Sequence, residues 1–171
     1  MADAATMTIK AVLLPEEIQK TLKDLTFSYS LADATEGWYY KLTDVTTGST
    51  NLISAENYMQ FGGAAQGADA GTAMHTISTS DKVKFLFIKH TSVEDDGTTV
   101  NTADSVYLNF DGTAAANGST TCLEIGPGES WYGKPGCTVA DINCISGVLN
   151  KGGTGGVDKI QCVVAAILDN I

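Results

Sequence analysis

Proline is scarce, with three residues in 171, and histidine is scarcer, with His75 and His90 the only two. Charged residues make up 18% of the chain, below the usual quarter. Ten basic residues face twenty acidic ones, a net charge of −10. No apolar run approaches the roughly 18 residues that a membrane-spanning helix needs. Each shortage excludes something. Few prolines beside 18 glycines point to a turn-rich folded chain and away from a disordered, low-complexity one. The acidic balance repels phosphate backbones and anionic membrane surfaces, so neither nucleic acid nor membrane is an expected partner. The opening Met1-Ala2-Asp3-Ala4-Ala5 carries an acid where a secretion signal carries basic residues, and the apolar piece at 11–14 is too short for a signal core. Synthesis and folding in a cytosol are expected.

Recognisable reaction chemistry is equally sparse. Neither histidine belongs to a metal-ligand spacing, and no Gly-x-Ser-x-Gly elbow occurs. The glycine-rich stretch at 151–156 (KGGTGG) lacks the Gly-Lys-Ser/Thr entry into a helix that a phosphate loop requires. Glu94, Asp95, Asp96 and Asp104, with Asn101 nearby, crowd one loop. Hard oxygen ligands of this kind suit calcium, but the spacing is not that of an EF-hand, and a solvated loop is the expectation. The cysteines are Cys122, Cys137, Cys144 and Cys162. Cys122 and Cys162 lie inside apolar strand patterns, where a free thiol acts as a small hydrophobe. A Cys137–Cys144 pairing is the alternative, and four cysteines allow three full connectivities. No catalytic, cofactor or metal residue is nominated, and a protein without enzymatic activity is expected. Two carboxylates flanking a sugar groove stay open as an alternative.

What the chain does have is a ladder of short apolar strands. They run at 82–90 (KVKFLFIKH), 105–110 (SVYLNF), 120–125 (TTCLEI), 139–148 and 159–168. Each is rich in Val, Ile, Phe, Tyr or Thr and is bounded by Gly, Asp, Asn or Pro. Evenly spaced short strands of this type predict an antiparallel β-sandwich or jelly-roll-like single domain. The ladder has upstream members too. Residues 26–32 (TFSYSLA) and 37–45 (GWYYKLTDV) alternate as half-buried strands, with 33–37 read as a hairpin loop between them. Weaker strands are expected at 51–55 and 72–78, and a mobile surface loop at 62–71 (GGAAQGADAG).

The N-terminal end reads differently. Residues 1–14 form an extended apolar arm or a first strand, and 15–171 the sandwich domain. Pro15 opens a short helix predicted over 16–25, with Glu16 and Glu17 at its positive end, Lys20 and Lys23 at its negative end, and Ile18, Leu22 and Leu25 on one face. The arm contributes Ile9, Val12, Leu13 and Leu14 as interface candidates. The aromatic groups Trp38-Tyr39-Tyr40 and Trp131-Tyr132 contribute Trp38, Tyr39, Trp131 and Tyr132, since strand neighbours point to opposite sides and some must face outward. Covering the ends of the sandwich is the plainer role for these rings.

The order of elements also resembles a known family. Ile-Lys-His-Thr (88–91) precedes Val-Tyr-Leu-Asn-Phe-Asp-Gly (106–112), Leu-Glu-Ile-Gly-Pro-Gly-Glu-Ser (123–130), Asp-Ile-Asn-Cys-Ile (141–145) and a final Ile-Gln-Cys-Val-Val strand (160–164). With Asp-Ala-Thr-Glu-Gly-Trp-Tyr-Tyr (33–40), this resembles small virion structural proteins of tailed bacteriophages, of the marine and cyanobacterial phage type. The resemblance implies a capsid decoration or cement protein, oligomeric, on the virion surface, bridging copies of the major capsid protein. A glycan- or host-receptor-binding module of a tail or fibre is the alternative it leaves open.

Overall fold

The computed structural model describes residues 4–9, 25–30, 36–54, 58–61, 74–147 and 159–170. Its strands are β1 (Ala4–Ile9), β2 (Leu25–Ser30), β3 (Glu36–Val45), β4 (Thr50–Asn51), β5 (Tyr58–Phe61), β6 (Met74–Thr76), β7 (Lys82–Glu94), β8 (Val106–Asn109), β9 (Leu123–Ile125), β10 (Ser130–Gly133), β11 (Asn143–Ser146) and β12 (Ile160–Asp169). A six-stranded sheet has the order β10-β7-β12-β3-β5-β6, and a four-stranded sheet the order β4-β11-β8-β9. All pairings are antiparallel. The expected β-sandwich-like architecture holds. A jelly roll carries eight strands in two Greek keys, whereas these sheets carry six and four.

β12 explains the arrangement. Its sequence, IQCVVAAILD, presents Ile160, Cys162, Val164, Ala166 and Leu168 on one face, and all five are buried. β3 flanks it over ten residues and β7 flanks its other edge. From β7 come Val83, Leu86 and Ile88, and from the facing sheet Val106, Leu108, Ile125 and Cys144. These side chains form one core between the sheets. Removing each large apolar group from water contributes about 1.5–3 kcal/mol.

Several expected elements change shape. No hairpin joins 26–32 to 37–45: β2 pairs with β1, and β3 pairs with β12 and β5. The strand expected over 139–148 begins as a 3-10 turn, Val139–Asp141, and only Asn143–Ser146 is extended. Asp141 is the cause. Its Oδ2 accepts hydrogen bonds from the Thr138 backbone N–H and hydroxyl, both at 2.8 Å, and this closes a turn where the apolar pattern suggested extension. The first rung is longer than expected, reaching Glu94, while the rungs at 105–110 and 120–125 contract to β8 and β9. β5 and β10 had no counterpart in the sequence reading. Of the helix expected at 16–25, residues 16–24 lie outside the described residues and Leu25 instead opens β2. The loop expected at 62–71 and the glycine-rich stretch at 151–156 also lie outside them.

Candidate functional site

Directly paired residues in antiparallel strands share a face. The outer face of the six-stranded sheet can therefore be laid out in rows. Tyr132, Phe87, Ala165 and Tyr40 form one row across β10, β7, β12 and β3. Phe85, Ile167 and Trp38 form the row on one side, and Lys89, Val163 and Leu42 the row on the other. The strands of the middle row span about 14 Å, and the rows lie about 7 Å apart. This face mixes aromatic and aliphatic side chains with charged ones, Lys89 and Asp44 both being exposed. Ile167 on this face is fully buried. Away from Ile167 the face opens: Tyr40 is 73% exposed and Leu42 47%.

The nominated aromatics divide between the two faces. Trp38 and Tyr132 belong to the outer face and are half-buried. Tyr39 points the other way and is 2% exposed, so it is a core residue and not a surface contact. Its hydroxyl is buried beside that of Thr43, and burial pushes the phenol pKa up. Trp131 also turns inward. It packs against the core and stacks on Phe110, ring centroids 5.1 Å apart. Ile9 ends β1, paired with Leu25, while Val12, Leu13 and Leu14 lie outside the described residues. Tyr40, Leu42, Phe85 and Phe87 share this outer face and are not among the residues nominated from the sequence. The alternation of 37–45 had placed Trp38, Tyr40 and Leu42 together, but alternation does not say which side faces the core.

The acidic loop is tied by its own donors. Asp96 Oδ1 accepts the N–H groups of Thr98 and Thr99 at 2.8 and 2.7 Å, and the Thr99 hydroxyl reaches Oδ2. These bonds, those from Thr99 foremost, hold its carboxyl far below the usual carboxylate range. Asp95 pairs with Lys159 at 3.4 Å, and the Asn101 amide donates to Asp104 at 2.8 Å and Glu94 at 3.4 Å. No group of three His, Cys, Asp or Glu suited to a metal occurs among the described residues.

His90 anchors the base of this loop. Its ring is fully buried; Nδ1 accepts the Ser92 N–H at 2.9 Å, and Nε2 lies 3.0 Å from the Asp104 carbonyl oxygen. Here β7 bulges, with residues 91–93 opposite the single Gln161. Ser92 has a φ of 65°, a left-handed conformation that costs a non-glycine residue about 1–2 kcal/mol.

All four cysteines are free thiols. Burial pushes Cys144 to about 11 and Cys162 to about 12, so both are inert packing groups. Burial also raises Cys137.

Comparison with protein-family models, with curated proteins and with solved structures gives no match.

Proposed function

We propose that this chain is a structural virion protein, a capsid decoration or cement protein that docks the outer face of its six-stranded sheet onto neighbouring capsid subunits. The observation that carries the reading is the pair of large apolar side chains, Tyr40 and Leu42, exposed side by side on the outer face of the central sheet. The partner class, the major capsid protein of a tailed phage, comes from the resemblance of 106–112, 123–130 and 141–145 to small virion proteins. Tyrosine and other aromatics are the side chains that interfaces favour at their centres. A net charge of −10 suits a partner with a basic rim. Binding the assembled shell and not its dissociated subunits stabilises the shell by mass action. The N-terminal arm before Pro15, with Ile9, Val12, Leu13 and Leu14, is the second surface in this proposal.

The test is occupancy on purified empty heads. Wild-type protein should co-sediment at hundreds of copies per particle, and Tyr40→Asp with Leu42→Asp should abolish this while the β-sheet circular dichroism is unchanged. Undiminished occupancy of the double variant would remove the face from the contact, and about a dozen copies would indicate a portal or tail component. The same exposed phenol ring is also the kind of surface on which sugars stack. Retention on a glycan array without head binding would favour the fibre-type alternative.

A further inference from the structure

We propose that His90 is an acid-sensitive latch: protonation at Nδ1 releases residues 92–104, the bulged end of β7 and the acidic loop after it, from the end of the sandwich. This goes beyond the docking role and does not depend on it.

The geometry fixes the resting state. The Ser92 backbone N–H can only donate, so Nδ1 must present its lone pair. The Asp104 carbonyl can only accept, so Nε2 must carry the proton. The ring is therefore the neutral Nε2–H tautomer, and both ends of the loop are held by one side chain with no exposed surface. The Asn101 N–H donates to the Ser92 carbonyl at 2.8 Å, and its side-chain oxygen accepts the N–H groups of Ala103 and Asp104 at 3.2 and 3.0 Å. Ser92 keeps its left-handed backbone inside this frame. A proton taken from solvent onto Nδ1 sets two N–H groups against each other. The acceptor for Ser92 is lost, and the strained residue has a reason to relax.

The charged and titratable groups around the ring come from four directions. Asp104 is in the loop itself, and Glu129 lies in the turn before β10, its carbonyl accepting the His90 N–H at 3.0 Å. Cys162 is the cross-strand partner on β12, and Glu94 shares the Asn101 amide with Asp104. Asp104 and Glu129 favour the charged ring, but burial is the larger effect and lowers the pKa below the ordinary 6.5. The latch is therefore fully closed above pH 6.5 and opens as pH falls through the lower folded-state value.

The experiment uses isotope-labelled full-length His75→Asn, which leaves His90 as the one titrating imidazole. Ring protonation and backbone hydrogen-exchange protection are followed by NMR from pH 7.5 downward. Protection at Ser92 and Asn101 should fall in step with His90 protonation, about tenfold per pH unit below its midpoint. The Leu86 and Ile88 amides in the middle of β7 should stay protected. Protonation of His90 with Ser92 protection unchanged would overturn the proposal, as would loop opening at a pH unrelated to the His90 midpoint. His90→Gln, which keeps an acceptor and a donor without titrating, should hold the loop closed throughout. An acid opening identical to wild type in that variant would also overturn it. If His90→Gln does not fold, the titration of His75→Asn decides alone.

Discussion

Phe110 and Trp131 stack with ring centroids 5.1 Å apart and planes tilted by 36°, and through them the two sheets meet at one edge. Phe110 follows β8 of the four-stranded sheet, and Trp131 lies on β10 at the border of the six-stranded one. The contact substitutes for strand pairing that the two sheets do not share. Trp131→Ala should lower stability by about 3 kcal/mol, seen as a reduced urea midpoint with an unchanged slope. A double-mutant cycle with Phe110→Ala should return a coupling of about 0.5–1.5 kcal/mol.

Gly133 reports on the same ring. A Cβ at this position would lie 2.9 and 3.0 Å from two carbons of the Trp131 indole. Gly133→Ala should therefore displace the indole and cost about 1–3 kcal/mol. Its tryptophan fluorescence should shift to the red relative to wild type.

Thiol chemistry should separate the cysteines. Cys144 and Cys162 are buried in the core with pKa values near 11 and 12. At pH 8, neither should react with a thiol reagent before global unfolding, and their labelling rate should follow the unfolding rate across urea concentrations. Labelling of Cys162 faster than unfolding would mean that β12 opens locally.

Asp141 is one point at which acid should weaken the second half of the chain. The Thr138 hydrogen bonds hold its carboxyl below the usual range. A depressed carboxyl contributes stability that is complete above its unfolded value near 4 and is lost as pH falls through its folded value. Asp141→Ala should cost about 1 kcal/mol at neutral pH and flatten the acid limb of the stability profile below pH 4.

Tyr40 and Leu42 should behave in the opposite way. Being exposed, they contribute little to folding, and Tyr40→Ser or Leu42→Ser should change stability by no more than about 0.5 kcal/mol. A loss well beyond that would mean that this face is covered within the folded chain.

The strands were legible where composition and alternation agreed, as at 37–45 and 159–168, because a half-buried strand writes its periodicity into the sequence. Pairing was not legible. Nearness in sequence suggests 26–32 and 37–45 as partners, yet β3 finds its partner more than a hundred residues later, and local signals carry no information about that distance. The Thr138–Asp141 turn was present as a Thr-x-x-Asp spacing but was submerged in an apolar run. The surface aromatics were half-legible. Alternation grouped Trp38, Tyr40 and Leu42 correctly, and only the position of the second sheet decided that this group, and not Tyr39, faces outward. His90 looked featureless because both of its hydrogen-bond partners are backbone groups, which no residue type announces.

β12 has to insert itself between two strands synthesised before it. Until residue 169 has left the ribosome, β3 and β7 each wait with a bare edge, and each can find the other by mistake. The chain should therefore fold late and comparatively slowly, in the manner of proteins dominated by distant pairings. A ribosome stalled upstream of Ile160 should hold a nascent chain that a protease degrades, and one carrying the whole sequence followed by a linker long enough to clear the exit tunnel should hold one that resists.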